Sequence, residues 1–284
     1  MKTIKSIGTM RKISLSHLRN GEKIGFVPTM GYLHDGHLSL LKKSKQENDI
    51  TVLSIFVNPT QFAPNEDFDS YPRDFKRDEK LAASEGADYV FYPSIKKMYP
   101  DNFSTFVESE TISRILEGEF RPSHFRGVLT IVAKLINIVM PDIMYLGQKD
   151  AQQAAILTKM AADLNFRTAI KVMPVIRDKN GLALSSRNAR LTKNDYITAL
   201  QLNKTLKLGK NIAEEIGDVN TKRLTLQLKK YITEFGDIKL DYIACRDCIT
   251  FEEPVNIENK TYILIAARVG KVRLIDNMIV KPKK

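Results

Sequence analysis

Cysteine, histidine and tryptophan are scarce in this chain. Its 284 residues include two cysteines, four histidines and no tryptophan. Two cysteines are too few for a disulfide framework, and a single Cys-x-x-Cys pair without a second pair or a nearby histidine makes a poor zinc site. A redox role would require thiols of low pKa, which a sequence does not reveal. We interpret Cys245 and Cys248 as structural or surface thiols, with a redox pair as the alternative.

Long apolar runs are also missing. No stretch approaches the roughly 20 consecutive apolar residues that a membrane-spanning helix needs. The first five residues, Met-Lys-Thr-Ile-Lys, lack the apolar core and the small-residue cleavage site of a signal peptide. We therefore expect a cytoplasmic protein that does not associate with membranes. Its length and its hydrophobic content of 43% suffice for one large domain or two moderate ones.

Acidic residues are fewer than basic ones, so the formal net charge is +11. Such an excess suits nucleic acids, anionic membranes or small anionic substrates. The basic residues are scattered apart from Lys42-Lys43 and residues 281–284, and aromatic residues are not interleaved with them as in single-strand binders. We interpret most of this charge as solvated surface and expect no specific nucleic-acid partner. A nucleic-acid-binding module remains the alternative, supported by net charge alone.

Apolar strands alternate with amphipathic helices through the first 176 residues. The strands are predicted at 23–27, 51–57, 88–91, 143–146 and 168–173, and the helices at 37–47, 74–85, 128–139 and 152–164. The stretch 51–57 is nearly all apolar or β-branched, as in a parallel strand buried on both faces. The alternation predicts an α/β fold with a doubly wound parallel sheet, in which ligands bind beyond the carboxyl ends of the strands.

The pattern changes after residue 176. A turn at 178–181 precedes helical patterns that begin near residues 192 and 221, and strands follow at 240–244, 262–269 and 272–278. Gly270-Lys271 joins the last two strands as a hairpin. This order predicts a first domain at residues 1–176 and a second, smaller α+β domain at residues 177–284.

The segment Val-Pro-Thr-Met-Gly-Tyr-Leu-His-Asp-Gly-His, residues 27–37, lies between a predicted strand and a predicted helix. Backbone N–H groups and the dipole at a helix N-terminus attract anions. We predict His34 and His37 on one face of the first helical turn, where both rings can donate to one polyphosphate, with Gly36 allowing backbone or adenine to come close. We interpret the segment as a nucleoside triphosphate site. A turn with two solvated histidines is the alternative.

The order His-x-Gly-His after a first strand is typical of adenylyl-transferring enzymes related to class I aminoacyl-tRNA synthetases. Other blocks follow it along the chain: residues 28–31 with His34 and His37, 54–62, 71–73, 124–128, 145–150 with Gln152 and Gln153, and 184–188. In this combination and order, over essentially the whole chain, the sequence resembles the pantothenate synthetase family. That family usually has Glu where this chain has Gln148, so the charge of this position, unlike its backbone, is not essential here.

The resemblance implies a Rossmann-like fold of the class I aminoacyl-tRNA synthetase type, with the smaller domain as a lid over the nucleotide. It implies an ATP-dependent ligase that condenses (R)-pantoate with β-alanine through a pantoyl-adenylate and releases AMP and pyrophosphate. It also implies a homodimer, and the use of ATP implies Mg²⁺. A second hypothesis is a nucleotidyltransferase that stops at the nucleotidyl product.

The resemblance also assigns residues to ATP. These are Met30, Gly31, Tyr32, Leu33, His34, Asp35, Gly36, His37, Gly147, Gln148, Lys149, Asp150, Ile176, Leu184, Ser185, Ser186 and Arg187. Four of them are implied to be catalytic, namely His37 as the proton donor, His34, Lys149 and Arg187. A lysine places a point charge on phosphates, whereas an arginine can bind two oxygens at once. An ordinary polar loop with an N-cap is the alternative for residues 185–187.

Gln61 and Gln153 are the substrate-side residues by resemblance, both binding pantoate and Gln61 also contacting β-alanine. An amide offers donors and acceptors together, which suits hydroxyl and carboxylate groups. The rival nucleotidyltransferase would lack this pair. Tyr71, Arg73 and His124 are weaker candidates that are often merely structural. No carboxylate cluster identifies the Mg²⁺ ligands, and we assign neither Asp78 nor Asp150 to the metal.

Overall fold

The computed structural model describes residues 1–64, 66–216 and 219–281. The chain divides into two compact units, Met1–Gly147 with Gln152–Pro174 and Gln148–Ala151 with Val175–Lys284. The units divide after Pro174, whereas the sequence places its domain boundary after residue 176. Of the basic cluster at 281–284, residues 282–284 lie outside the described residues.

A parallel sheet forms the centre of the first unit. Among the described residues it has six strands: β1 (Lys2–Ile4), β2 (Ile24–Thr29), β3 (Ile50–Ile55), β4 (Tyr89–Phe91), β5 (Ile143–Gly147) and β6 (Ala169–Met173). Their order is β1-β4-β3-β2-β5-β6, and every neighbouring pair is parallel. This arrangement confirms the predicted doubly wound parallel sheet. The chain order reverses between β2 and β5, which is where ligands bind in such folds.

Helices cover both faces of this sheet. They are α1 (Ile7–Arg19), α2 (Asp35–Glu47), α3 (Phe75–Ser84), α4 (Ile95–Met98), α5 (Glu117–Phe120), α6 (His124–Val139) and α7 (Ala151–Asp163). Successive residues of a strand point to opposite faces. Phe26 and Val52 therefore join one buried cluster with α6, whereas Val27 and Leu53 join another with α2. Both faces of β2 and β3 are buried, which explains their nearly continuous apolar sequences.

The N-terminal elements β1 and α1 are absent from the sequence-based prediction. β1 has only three residues, and α1 buries only Met10 and Ser14, so neither gives a strong periodic pattern. α2 begins at Asp35, two residues before the predicted start, and α6 begins at His124, four residues before it.

The second unit is α+β, as predicted. It contains α8 (Lys193–Ile216), α9 (Thr221–Thr233) and an antiparallel sheet of β7 (Ile238–Asp247), β8 (Thr261–Val269) and β9 (Val272–Val280). Gly270 has a φ of 55° in the two-residue hairpin between β8 and β9, a conformation that favours glycine. Cys245 is buried in β7 and Cys248 is half-buried just after it. Burial raises the pKa of both thiols to about 12, so they stay protonated at neutral pH.

Within the part of the chain that the structure describes, no helix combines the length and the apolar character needed to cross a bilayer.

Candidate active site

Two of the sequence blocks follow β2 and β3, which are neighbours in the parallel sheet. Thr29 ends β2 and pairs with Ile55, which ends β3, and Gly147 ends β5 on the other side of β2. Parallel strands end at the same edge of a sheet, so the segments that follow β2 and β3 begin side by side. The fold thus brings the loop at residues 30–37 and the turn at residues 58–62 to the edge where ligands bind in this type of sheet.

The chain leaves β2 through a left-handed turn. Gly31 has a φ of 89° and Tyr32 a φ of 53°. Thr29 supports the turn, because its Oγ1 accepts from the N–H of Gly31 at 3.2 Å and donates to the carbonyl of Ser54 at 2.8 Å. A Cβ atom at Gly31 would lie 3.0 Å from side-chain atoms of Asp78 and Ile55. This position therefore requires glycine both for its backbone conformation and for its close contacts.

Asp78, on α3, holds the next part of the loop. Its carboxylate oxygens accept from the N–H groups of Tyr32 at 2.7 Å and Leu33 at 2.8 Å. The side chain is almost fully buried, and this burial raises the pKa of Asp78 although the two N–H groups and Arg77 act against it. From the sequence, Asp78 is considered only as a ligand of Mg²⁺, to which it is not assigned. Its backbone contacts to the loop have no counterpart in the sequence pattern, because they join residues 45 and 46 positions apart.

The two histidines begin α2 as a pair. His34 is the N-cap residue rather than part of the first turn, and its Nδ1 accepts from the N–H of Gly36 at 3.2 Å. In return, the Nδ1 of His37 accepts from the N–H of His34 at 3.3 Å, and the ring centroids lie 4.1 Å apart. Because Nδ1 of each ring accepts a hydrogen bond, the neutral ring carries its hydrogen on Nε2. Each ring therefore has a fixed N–H donor beside a helix N-terminus.

Gly36 is needed for the histidine pair itself. A Cβ atom at this position would lie 2.8 Å from Cε1 and 2.9 Å from Nδ1 of His34. The sequence predicts that Gly36 makes room for backbone or adenine. The structure shows a further reason for glycine, since a side chain here would push the His34 ring out of its capping position.

Gln61 lies beside Met30 in the first unit. The Gln61 Nε2 donates to the Met30 sulfur at 2.8 Å, and its Oε1 accepts from Asn58 at 3.2 Å. Asn58 is buried and also donates to the carbonyl of Gly127 on α6 at 3.0 Å. A Cβ atom at Gly127 would lie 2.4 Å from the carbonyl oxygen of Thr60, so glycine lets α6 approach this turn closely. Met30 and Gln61, predicted from separate blocks, are thus brought together.

His124, a weaker candidate from sequence, supports the Gln61 backbone. Its Nδ1 lies 2.9 Å from the Gln61 carbonyl oxygen, and its Nε2 lies 3.2 Å from a nitrogen of Arg121. Burial, together with the Arg121 charge, lowers the pKa of His124 to about 4. The ring is therefore neutral at pH 7, with Nδ1 donating to Gln61 and Nε2 accepting from Arg121. Arg73 binds the carbonyls of nearby loop residues and also acts structurally.

The adjacent glutamines of α7 differ in their surroundings. Gln152 is buried, donates to the carbonyls of Ile112 and Ile115 at 2.7 Å, and accepts from the N–H of Glu117 at 3.1 Å. Gln153 is half-buried in the same unit. Gln152 thus anchors residues 112–117, and Gln153 is the more exposed of the two.

A cavity of about 360 Å³ opens in the first unit beside Met30, Gly31 and Tyr32. Phe75 and Tyr92, whose stacked rings lie 4.2 Å apart between centroids, form part of its wall. The cavity lies at the carboxyl ends of β3 and β4, where a parallel sheet offers room for small ligands.

In the second unit, Asn277 of β9 holds the segment after β5. Its Nδ2 donates to the carbonyls of Gln148 at 2.8 Å and Lys149 at 3.0 Å, and its Oδ1 accepts from the Gln148 Nε2 at 2.9 Å. The Lys149 Nζ lies 3.3 Å from Asp150. Asn277 is not among the residues predicted from the sequence, although the polar pair Asp276-Asn277 inside an apolar strand is a signal. Both residues are buried.

The half-buried Arg177 and the buried Asp276 form an ion pair next to Asn277. Arg177 binds Asp276 through both terminal nitrogens, at 2.5 and 2.8 Å, and also donates to the Asn277 carbonyl at 3.1 Å. Burial raises the pKa of Asp276 although the guanidinium group acts in the opposite direction. This pair fixes the start of the segment that contains the predicted residues Ile176 and Leu184.

The predicted residues from Ile176 to Arg187 lie in one folded segment of the second unit. The Leu184 N–H donates to the Ile176 carbonyl at 3.0 Å, so these two residues are adjacent. Ser185 is the N-cap of a 3-10 helix at Ser186–Arg190, and its Oγ accepts from the N–H of Arg187 at 3.3 Å. The N-cap of the alternative interpretation is therefore present, and Ser186 and Arg187 occupy the first turn.

The predicted site residues are divided between the two units. The first unit holds Met30, Gly31, Tyr32, Leu33, His34, Asp35, Gly36, His37, Gln61, Gly147 and Gln153, and the second holds Gln148, Lys149, Asp150, Ile176, Leu184, Ser185, Ser186 and Arg187. Among the residues that the structure describes, no group of three or more His, Cys, Asp or Glu side chains is arranged to hold a metal ion.

Known proteins resemble this chain over its full length. The pantoate-beta-alanine ligase family matches residues 2–279. The chain is 50% identical to the pantothenate synthetase of Pseudothermotoga lettingae, over 98% of this chain and 99% of that protein. It is 48% identical to the pantothenate synthetase of Caldicellulosiruptor bescii over the full length of both proteins.

Solved structures agree as well. Pantothenate synthetase from Thermus thermophilus superposes with a TM-score of 0.93 at 36% identity, covering 99% of this chain and all of that one. Pantoate-beta-alanine ligase from Francisella tularensis, solved in complex with beta-gamma ATP and beta-alanine, gives a TM-score of 0.79 at 39% identity, covering 98% of this chain and 97% of that one. This chain belongs to the pantoate-beta-alanine ligase family.

Proposed function

We propose that this chain joins pantoate to β-alanine in an ATP-dependent reaction that passes through a pantoyl-adenylate. The family membership supports the overall reaction, and the complex of the Francisella tularensis relative supports the use of ATP and β-alanine. The observation that carries the proposal is the pair of fixed Nε2–H donors, on His34 and His37, at the N-terminus of α2. Donors in this position suit a polyphosphate.

The reaction has two steps. A pantoate carboxylate oxygen attacks the α-phosphorus of ATP, a P–O bond forms, and the bond to the β-phosphate bridging oxygen breaks to release pyrophosphate. The amine of β-alanine then attacks the acyl carbon, loses a proton, and displaces AMP. Most of the acceleration in phosphate chemistry comes from positioning and from neutralising charge, so the protein needs hydrogen-bond donors and cations more than a nucleophile.

The residues have distinct proposed roles. His34 and His37 donate to phosphate oxygens, and the family resemblance gives His37 the proton-donor role. Lys149 supplies a point charge and Arg187 a two-pronged contact to phosphate, while Ser185 and Ser186 add neutral donors. The other residues predicted to bind ATP contribute backbone groups and form the walls of the nucleotide site.

Gln61 and Gln153 are proposed to bind pantoate. The contact of Gln61 with Met30 supports this role, because it places the amide at the edge of the sheet beside the histidine loop. Gln61 is also proposed to contact β-alanine. A nucleotidyltransferase that stops at the nucleotidyl product has no need for this second, substrate-side group of residues.

The test is purified protein with ATP, pantoate and β-alanine, with each component omitted in turn. Pantothenate and AMP should form only when all three are present, and labelled pyrophosphate should exchange into ATP with pantoate alone. Exchange that requires β-alanine would contradict the adenylate, and a product that retains the AMP moiety in the presence of β-alanine would favour the nucleotidyltransferase.

RNA binding distinguishes the proposed ligase from the second alternative, a nucleic-acid-binding module. Net charge alone should give only non-specific binding, with a Kd of ~10⁻⁴ to 10⁻⁶ M near physiological salt and a steep decrease as salt rises. Submicromolar binding that survives at about 0.3 M salt would favour a nucleic-acid-binding module instead.

Three further properties stay predictions. Metal titration tests whether Mg²⁺ is held through the ATP phosphates. Sedimentation tests the homodimer, and cell fractionation tests the cytoplasmic location.

A further inference from the structure

We propose that Asp78 is a positioning residue for the two histidines. The proposal rests on the proposed function, because it concerns the residues assigned there to the phosphates. Asp78 also lines the cavity beside the loop, and both of its carboxylate oxygens bind the loop backbone. It binds the N–H groups of Tyr32 and Leu33, which directly precede His34 in the chain.

The loop needs an acceptor at this place. Tyr32 has a left-handed backbone, which is strained for a residue with a side chain. Its N–H and that of Leu33 lie past Thr29, the last residue of β2, and bind Asp78 instead of a neighbouring strand. A buried N–H group must find a partner. The two oxygens of one carboxylate accept both hydrogens in a single, rigid arrangement. Without them, Tyr32 could relax towards a negative φ and carry Leu33 with it.

A shift of the Leu33 backbone would move His34 through the peptide bond that joins them. It would also affect His37 through the hydrogen bond between the two histidines. The N–H of His34, the residue after Leu33, donates to the Nδ1 of His37. The His34 ring in turn accepts from the N–H of Gly36. The peptide that Asp78 holds is therefore continuous with the interactions that set the orientation and the tautomer of both rings.

The carboxylate is costly to keep in this place. Asp78 is 1% exposed, and an ionised carboxylate loses its hydration when it is buried. The guanidinium of Arg77 lies 3.6 Å away, but it is largely exposed and also lies over the Tyr32 ring, 5.3 Å from its centroid. A role in holding Tyr32 and Leu33 explains why a charged side chain is buried here.

Asp74 offers a matched control on the same helix. It is the N-cap of α3, and its Oδ1 accepts from the N–H of Arg77 at 3.0 Å. Asparagine is as good an N-cap as aspartate, so Asp74→Asn removes a charge four residues from Asp78 and keeps the helix. Asp78→Asn likewise removes one charge, but it replaces one of the two accepting oxygens by an NH₂ group, which is a donor and cannot accept from a loop N–H.

The experiment compares Asp78→Asn, Asp78→Ala and Asp74→Asn in the full chain. Pyrophosphate exchange with pantoate alone should show a kcat at least about tenfold lower for both Asp78 variants, since a misplacement of ~1 Å can reduce a rate ~10²-fold. The KM for pantoate should change little. Asp74→Asn should match the parent protein in both constants.

A second measurement reports on the rings without catalysis. Nitrogen-15 NMR of the imidazole groups should show His34 and His37 as Nε2–H tautomers in the parent protein. Both Asp78 variants should shift these two sets of signals and leave those of His17 and His124 in place. If the parent protein shows no exchange at all, the proposed function fails, while the ring signals still test the role of Asp78.

Three results would overturn the proposal. One is an Asp78→Asn protein with the parent kcat and unchanged signals from His34 and His37. Another is an equal effect of Asp74→Asn, which would point to general charge or helix stability. The third is an Asp78→Asn protein that does not fold, since the carboxylate would then serve the stability of the whole unit.

Discussion

The side-chain amides of Gln148 and Asn277 are hydrogen-bonded to each other, with 2.9 Å between the Gln148 Nε2 and the Asn277 Oδ1. The Asn277 Nδ2 then bonds the carbonyls of Gln148 and Lys149. One buried side chain of β9 thus fixes the backbone of a segment that lies 128 residues earlier in the sequence and contains a proposed phosphate ligand.

Replacing Asn277 by alanine should therefore affect both stability and activity. The carbonyls of the half-buried residues Gln148 and Lys149 and the Gln148 side-chain amide would lose their buried partner, which costs ~1 to 3 kcal/mol in the free energy of unfolding. The adenylation rate should also fall, because the Lys149 backbone would no longer be held. Denaturant unfolding and pyrophosphate exchange measure the two effects. Asn259→Ala, at an exposed position of the same unit, is the control, and an equal response of both variants would argue against the prediction.

The proposed catalytic role of His34 can be separated from its structural role as the N-cap of α2. His34→Ala removes both the Nε2 donor and the N-cap of α2, whereas His34→Asn keeps a good capping side chain. We expect both variants to slow adenylation by ~10² or more, because donors to charge that develops in the transition state are each worth about 3 to 4 kcal/mol. The alanine variant alone should unfold more easily, by ~0.5 to 2 kcal/mol. Thermal unfolding and exchange kinetics test this, and an asparagine variant of normal activity would contradict it.

His37→Ala gives an independent test of the same pair. The His34 N–H would lose its acceptor, and the proposed proton donor would be missing, so adenylation should fall by ~10² or more. Single-turnover formation of the adenylate measures this step directly. Nearly full activity would mean that the two histidines only cap the helix.

The neighbouring glutamines of α7 should respond in opposite ways. Gln153→Ala should raise the KM for pantoate far more than that for ATP and leave the free energy of unfolding nearly unchanged. Gln152→Ala removes a buried side chain that binds the carbonyls of Ile112 and Ile115 and the buried N–H of Glu117, and should destabilise the protein by ~1 to 3 kcal/mol. Steady-state kinetics and denaturant unfolding of both variants provide the comparison. A loss of stability in Gln153→Ala that equals the loss in Gln152→Ala would refute the assignment.

His124 predicts a pH dependence of stability. Its pKa is about 4 in the folded protein, against about 6.5 for an unperturbed histidine, so the unfolded state binds the proton first as pH falls. The contribution of neutral, buried His124 to the free energy of unfolding is fully present above pH ~6.5. It is lost as pH falls towards ~4, and the loss amounts to about 3 kcal/mol. His124→Asn keeps a donor near Nδ1 and does not titrate, so its unfolding free energy should decrease less over this range. Parallel pH curves for the two proteins would contradict this origin.

Local patterns were sufficient for the architecture. Parallel strands buried on both faces leave nearly continuous apolar runs, as at residues 51–57. The change from alternating strands and helices to two helices followed by three strands marks the α+β unit. Weak patterns were missed: β1 is only three residues long, and α1 buries few of its residues. The helix starts at Asp35 and His124 were predicted too late. Asp35 follows a cap formed by the two histidines with backbone N–H groups, whereas Ser123 makes no side-chain capping bond that would mark the start of α6.

The sequence by itself determined the class of fold, the strand-to-helix loop with its two histidines, and the family resemblance, because each depends on residues close together in the chain. The tertiary structure decided what holds these residues. Asp78 under Tyr32, His124 behind Gln61 and Asn277 against Lys149 are contacts between distant positions. Their side chains are ordinary polar residues whose roles arise only when folding buries them beside unpaired backbone groups, which no local pattern records.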